Sequence, residues 1–251
     1  MMTDKPSSKT THFGFQTVRE EEKVSLVRDV FDSVASKYDI MNDVMSMGIH
    51  RLWKDAMIDW LRPRASMSLL DVGGGTGDIA FRFRKSGGGP VTVCDINREM
   101  LVVGRDRAYN RGLVRDMSWV CGTAEELPFP DASVDAYTIA FCLRNVTRID
   151  VALCEARRVL KPGGRFLCLE FSRVDNDLLR TLYDFYSFKA LPAMGKMIAD
   201  NADAYQYLAE SIRMFPPQDE LAERMRAAGL DCVEYRNLSQ GIAALHSGWR
   251  T

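Results

Sequence analysis

The stretch from Ser68 to Asp78 reads Ser-Leu-Leu-Asp-Val-Gly-Gly-Gly-Thr-Gly-Asp. It is a short apolar run ending in a carboxylate, then a glycine-rich turn, then a helix-compatible segment from Ile79. Strand, tight loop and helix in that order make a ligand seat. An open parallel sheet binds outside the carboxyl ends of its strands, where helix N-termini and bare N–H groups point into the crevice. The spacing narrows the ligand. A dinucleotide fingerprint starting at Gly73 needs Gly or Ala at position 78, which is Asp78, and a phosphate loop needs Gly-Lys-Ser/Thr, which the chain lacks. The run Asp71, Gly73, Gly75 and Gly77 fits neither pattern. A second acid, Asp95, ends the apolar run Val91–Cys94 about twenty residues after Gly75. At the tip of a second strand such an acid can accept hydrogen bonds from two ribose hydroxyls. The chemistry indicated is the holding of a nucleotide-like ligand by glycines and carboxylates.

The totals exclude several alternatives. A chain of 251 residues can bury a full core as one α/β domain. With 33 basic and 34 acidic residues, no electrostatic footprint points to nucleic acid. Cys94, Cys121, Cys142, Cys154, Cys168 and Cys232 include no Cys-x-x-Cys pair, lie mostly inside apolar runs and read as buried reduced thiols of a cytosolic protein. His12, His50 and His246 form no ligand pair by spacing, so no metal site is expected. No apolar run is long enough to cross a membrane or to serve as a signal peptide. The leader Met1–Thr17 carries Asp4 and no Arg, unlike a mitochondrial transit peptide, and a bacterial cytoplasmic setting fits.

The elements that must position the acids and glycines follow from periodicity. Residues 1–22, with Pro6, Ser7 and Ser8, read as a flexible leader, and residues 23–251 as a single domain. Val24, Val27, Val30, Phe31, Val34 and Tyr38 recur at helical spacing from Lys23. A second helix is expected from His50 to Leu61, ended by Pro63. Together they make a helical cap over 23–62, ahead of the first strand. Strands near 68–72, 90–95, 117–121, 135–141 and 165–171 alternate with helices near 77–85, 97–110 and 149–160, which implies a parallel sheet with right-handed crossovers. The last two runs, Cys232–Leu238 and Ile242–His246, are joined by the short turn Ser239-Gln240-Gly241, which makes that pair antiparallel. The expected fold is therefore α/β and Rossmann-like: a mostly parallel seven-stranded sheet, an antiparallel last strand, and helices on both faces. Residues 172–215 form an insertion rich in Leu, Tyr and Phe. It reads either as two helices packed on the sheet edge or as a lid over a large apolar substrate, with any leftover face serving self-association or membrane contact.

Asp-x-Gly-x-Gly-x-Gly, from Asp71 to Gly77, resembles the first motif of class I S-adenosylmethionine-dependent methyltransferases. More particular stretches are Lys37-Tyr38-Asp39-Ile40-Met41-Asn42-Asp43, Gly48-Ile49-His50-Arg51-Leu52-Trp53-Lys54, Leu143-Arg144-Asn145-Val146-Thr147 and Tyr207-Leu208-Ala209-Glu210-Ser211-Ile212. With Glu126-Leu127-Pro128-Phe129-Pro130-Asp131 and Val159-Leu160-Lys161-Pro162-Gly163-Gly164-Arg165, they resemble the ubiquinone/menaquinone biosynthesis C-methyltransferases from about Phe13 to the C-terminus. The resemblance implies S-adenosylmethionine as cofactor and methyl transfer to a ring carbon of a polyprenylated benzoquinol or of demethylmenaquinol. The site then needs alignment, exclusion of water and stabilisation of a developing phenolate, and no acid for the leaving group. A methyltransferase of another small molecule, or a cofactor-binding scaffold of a quinone-synthesis complex, are the competing readings. A prenylated substrate also implies visits to the surface of the inner membrane from the cytoplasmic side, and a homodimer or a quinone-synthesis complex are the protein partners to look for.

By the same resemblance Asp71, Gly73, Gly75 and Thr76 hold the cofactor from the loop, Asp71 near its ammonium group. Asp95 takes its ribose, Thr123 and Ala124 lie near adenine, and Ala140 ends the fourth strand. Relatives often carry Asn or Asp at position 123 and Ser at 140, so a side-chain hydrogen bond is lost at Ala140. Arg144 and Asn145 either face the substrate, Arg144 as a fixed charge or a holder of water because arginine stays protonated, or form a structural clamp of the loop. His50 could be the base, its ordinary pKa being near neutrality, or a packed helix residue. Tyr38 either binds the quinol edge or belongs to the core.

Overall fold

The computed structural model describes residues 9–34, 43, 48–174 and 202–251. At the N-terminus, β1 (Thr10–Phe13) and β2 (Gln16–Arg19) pair antiparallel around Gly14-Phe15. Gly14 takes φ +57 at the first central position of this two-residue turn. The segment expected as part of a flexible leader is thus a hairpin from residue 10 onward. Helix α1 (Glu20–Val34) follows directly, three residues earlier than the apolar periodicity alone suggests. Glu20, Glu21 and Glu22 occupy its first turn, where negative charge complements the helix dipole.

Helix α2 (His50–Leu61) buries Trp53, Met57, Ile58, Trp60 and Leu61 and ends at Arg62 in a left-handed conformation (φ 55) just before Pro63. Arg165 fastens this helix to the sheet: its guanidinium lies against the Trp60 and Trp249 rings and donates to the Trp60 carbonyl (2.5 Å) and to Ser247 Oγ (2.9 Å).

The sheet comprises β3 (Leu69–Val72), β4 (Val91–Asp95), β5 (Met117–Cys121), β6 (Val134–Ala140), β7 (Leu160–Phe171), β8 (Asp231–Leu238) and β9 (Ala243–Arg250). Its seven strands lie in the order β5-β4-β3-β6-β7-β9-β8. The first five are parallel, and β9 runs antiparallel to both of its neighbours. The antiparallel end is therefore made by the last strand inserting between β7 and β8. All four residues of β3 are buried, as both faces of the sheet are covered. Of the cysteines expected to be buried, Cys94 and Cys168 are, whereas Cys121, Cys154 and Cys232 are exposed. Successive strand residues face opposite cores. Leu69, Val91, Val93, Leu167 and Leu169 pack with α2 and with α3 (Asp78–Lys85). Leu70, Val72, Tyr137, Ile139 and Phe166 pack with α5 (Ile149–Val159) and α7 (Gln218–Ala227). Helix α4 (Arg98–Asn110) is capped by Asn97, whose side chain accepts from the Met100 N–H at 3.1 Å. Of the expected insertion, residues 175–201 lie outside the described residues, and its end is helix α6 (Ala202–Met214). Among the described residues no helix is long and apolar enough to cross a membrane.

Candidate functional site

Chain order reverses at β3: the connections to β4 and β5 run to one side, and β6 and β7 lie on the other. A ligand crevice belongs at this switch point, outside the carboxyl ends of the strands. A cleft enclosing about 840 Å³ of space open to solvent is found there, lined by the ends of β3 and β4 and by the loops that follow β3, β4, β5 and β6, and roofed by Val24, Val27 and Arg28 of α1.

The glycine loop forms its floor. Gly73 (φ +62) donates to the Cys94 carbonyl at 2.8 Å, and a Cβ on it would stand 2.2 Å from Cys142 Sγ. Only glycine lets the two loops meet. Gly75 (φ +53) donates its N–H to Asp95 Oδ2 at 2.8 Å, while Asp95 Oδ1 accepts from the Asn97 N–H at 2.8 Å. Asp95 is thus aimed by backbone groups of its own strand end and of the loop. Burial raises its pKa, against the opposing pull of those N–H donors.

Beyond β5, Thr123 and Ala124 line the same cleft with Ile96 and Met100, an apolar setting for a purine. Glu125 closes the rim: its carboxylate accepts from the Thr147 N–H (3.0 Å), the Arg148 N–H (3.1 Å) and Arg148 Nε (2.6 Å). Lys23 of α1 donates to the Val146 carbonyl at 3.1 Å, and burial lowers its pKa. The loops after β5 and β6 and the helix above them are therefore tied together over the cleft.

The Leu143–Asn145 segment is a 3₁₀ turn that sends consecutive side chains different ways. Asn145 lines the cleft together with Phe141 and Cys142. Its Oδ1 accepts from the Tyr207 hydroxyl at 3.0 Å. Arg144 lies behind the wall. Its guanidinium pairs with Glu170 at 2.7 Å, both side chains 2% exposed, and donates to the Phe141 carbonyl at 2.6 Å. Phe141 has a φ of 55, a conformation that non-glycine residues hold only where the surroundings enforce it. The Arg144 bond to its carbonyl and its own N–H bond to the Leu169 carbonyl (2.8 Å) are such enforcement.

The remaining expected residues are dispersed. Asp71 lies beneath the loop rather than on the cleft wall, 1% exposed, with Oδ1 accepting from Thr138 Oγ1 at 2.8 Å. Thr76 faces the opposite side of the loop, where Oγ1 accepts from Arg107 at 3.0 Å. There it lines a separate hollow with His50, Arg51, Asp78 and Arg82. His50 sits 3.7 Å from Asp43, and burial with nearby Lys54 lowers its pKa to about 4. It is neutral at pH 7 but does not line the main cleft, so it has no access to a substrate proton there. Ala140 ends β6 one residue before the cleft-lining Phe141. Tyr38 lies outside the described residues. Sequence reasoning passed over Phe141, Cys142 and Glu125. It also passed over Glu170, the one carboxylate in the otherwise apolar run Phe166–Phe171, which is a signal for a buried counter-charge.

The residues present fit an S-adenosyl ligand: a cradle that a Cβ at Gly73 would fill, an acid fixed at a strand tip for hydroxyls, and apolar walls beside it. Comparison with known proteins points the same way. The ubiE/COQ5 methyltransferase family matches residues 16–250. The ubiquinone/menaquinone biosynthesis C-methyltransferase UbiE of Roseobacter denitrificans is 58% identical over 250 residues, covering 99% of this chain and 100% of that protein. The protein of the same name from Paracoccus denitrificans is 57% identical over 251 residues, 100% of both chains. Among solved structures, a methyltransferase dependent on S-adenosylmethionine from Thermotoga maritima superposes with a TM-score of 0.63 at 21% identity, over 89% of this chain and 99% of its own. That last likeness concerns the fold.

Proposed function

Because this chain belongs to the ubiE/COQ5 methyltransferase family, we propose a division of labour in which backbone and acid hold the cofactor and one carboxamide activates the substrate ring. The reaction is C-methylation of a prenylated quinol in ubiquinone/menaquinone biosynthesis. S-adenosylmethionine supplies the methyl group on a sulfonium that departs as a neutral thioether, so the protein need not protonate a leaving group. Gly73 and Gly75 would let the backbone approach the cofactor, Asp95 would accept from its ribose hydroxyls, and Thr123 and Ala124 would border its purine. Val24 and Val27 on α1 present apolar side chains to the cleft and would keep water from the ring once cofactor and substrate fill it.

Ring carbon becomes nucleophilic as its hydroxyl gives up proton character, so a donor to that oxygen lowers the barrier. Asn145 is the residue for this task, and the observation that carries the assignment is its position on the cleft wall while Arg144 is turned to Glu170. Arg144 then acts through the turn it holds. The carboxylates on the wall are already engaged, Glu125 by three N–H donors and Asp95 by two, so as the S–CH3 bond breaks and the C–C bond forms, the one proton lost in net, from the ring carbon that takes the methyl group, passes to solvent at the open mouth of the cleft. The prenyl tail brings the enzyme to a bilayer surface, with the insertion as the contact.

The test is labelled cofactor with a reduced short-tailed methoxy-benzoquinol and, separately, a demethylmenaquinol, the product located by ring position. Wild type should methylate a ring carbon. Asn145→Ala should turn over roughly a hundredfold more slowly with cofactor affinity intact. Full activity in that variant would remove Asn145 from the mechanism.

A further inference from the structure

We propose that Tyr207 is a positioning residue for methyl transfer: its hydroxyl fixes which end of the Asn145 carboxamide looks into the cleft. The inference rests on the reading of Asn145 as the donor to the quinol oxygen. A carboxamide has an acceptor end and a donor end, and only the donor end can stabilise an oxygen gaining negative charge. Tyr207 is 5% exposed, and a buried phenol needs an acceptor for its proton. Asn145 Oδ1, at 3.0 Å, is that acceptor. Turning the amide over would set Nδ2 against the phenol oxygen and take this acceptor from the phenol proton. Burial also raises the Tyr207 pKa, which keeps the hydroxyl a donor. With Oδ1 committed to Tyr207, the NH2 group is left for the cleft.

The phenol ring is itself held. Phe13 of the N-terminal hairpin stacks on it with centroids 4.2 Å apart and planes at 20°. Glu210, one turn further along the same face of α6, accepts the Phe15 N–H at 3.0 Å. A Cβ at Gly14 would come within 2.3 Å of that carboxylate, so the hairpin turn is seated directly on it. Hairpin and α6 thus form a latch behind Asn145, reaching the cleft from the end of the insertion.

The experiment is a double-mutant cycle on the full chain with the reduced benzoquinol under single-turnover conditions, alongside calorimetric titration of the cofactor. Tyr207→Phe keeps the ring and its stack while removing the hydroxyl. It should slow transfer about tenfold, the order expected for one buried hydrogen bond, with cofactor affinity within twofold of wild type. In an Asn145→Ala background the same change should cost less than about twofold, since there is no amide left to orient. Phe13→Ala, which loosens the ring from its other face, should show the same pattern of loss and its disappearance. An undiminished cost in the Asn145→Ala background, or wild-type transfer by Tyr207→Phe, overturns the inference. If Asn145→Ala itself transfers at the wild-type rate, it is the assignment of Asn145 that fails.

Discussion

Replacing Asp71 by Asn should change how stability depends on pH. The Asp71 carboxyl is 1% exposed; Oδ1 accepts from Thr138, and Oδ2 has no hydrogen-bond partner among the described residues. Burial raises its pKa to about 7, although the Thr138 bond and the Lys54 charge pull the other way. The folded protein therefore keeps a proton that the unfolded chain, with an ordinary carboxyl near pH 3.9, has lost. The stability this group contributes is present in full below the unfolded value and declines as pH rises, until it levels off above about 7. Between pH 6 and 8.5 the loss integrates to about 1.4 kcal/mol. His50 and His246 oppose it. Burial holds both near pH 4, so each is neutral when folded while the unfolded imidazole is still partly protonated at pH 6. Each adds about 0.8 kcal/mol over the same interval as the unfolded proton leaves. Asp71→Asn retains both histidine contributions and lacks the carboxyl, so the difference between wild-type and variant stabilities isolates Asp71. Urea unfolding at each pH should show that difference shifting by about 1.4 kcal/mol against the wild type from pH 6 to 8.5, with unchanged m. Parallel profiles would refute the assignment of a protonated, buried Asp71.

Two further outcomes test the architecture around the cleft. Asp95→Asn should weaken cofactor binding by roughly tenfold to a hundredfold, the worth of charge-assisted bonds to hydroxyls, as read by calorimetric titration; affinity within twofold of wild type would exclude Asp95 from the holders. Glu170→Ala leaves the Arg144 guanidinium buried without its counter-charge. It should cost about 3–5 kcal/mol, or roughly 6–20 °C in Tm for a domain of this size, and a drop under about 2 °C would mean the pair is not the strut described.

The frame of the site was legible because it is local. Strand, glycine turn and helix follow from adjacent residues, and Asp95 is found by its place at the end of an apolar run. The parallel order of β3 and β4, with Asp71 beside Val93, brings the Gly75 N–H to that acid without any long-range information. The hairpin at Thr10–Arg19 was missed although its signal was present: two short runs containing Thr, Phe and Val on either side of Gly14. Polarity and proximity to the terminus mask that signal, and what orders the segment is tertiary, the seat on Glu210 and Tyr207 almost two hundred residues away.

Direction, by contrast, was not legible. His50 and Thr76 have the right chemistry and sit on the right elements, but a helix face and a loop face are chosen by packing, and both turn to the far hollow. Arg144 and Asn145 show the same limit between neighbours. Sequence puts both past the end of β6; the left-handed backbone at Phe141 and the 3₁₀ turn after it decide that one enters the cleft and the other is buried. Since a non-glycine left-handed residue has no sequence signature, the choice had to come from the partner. β6 and β7 pair with Ala140 beside Leu169, so Glu170 stands one step beyond the register, at the level where the chain turns. An unpaired carboxylate there would be costly to bury, and Arg144 is the nearby cation that meets it. The residue with the greater charge is thereby drawn behind the wall, and the neutral amide beside it is left facing the cleft, where the proposed chemistry calls for a donor.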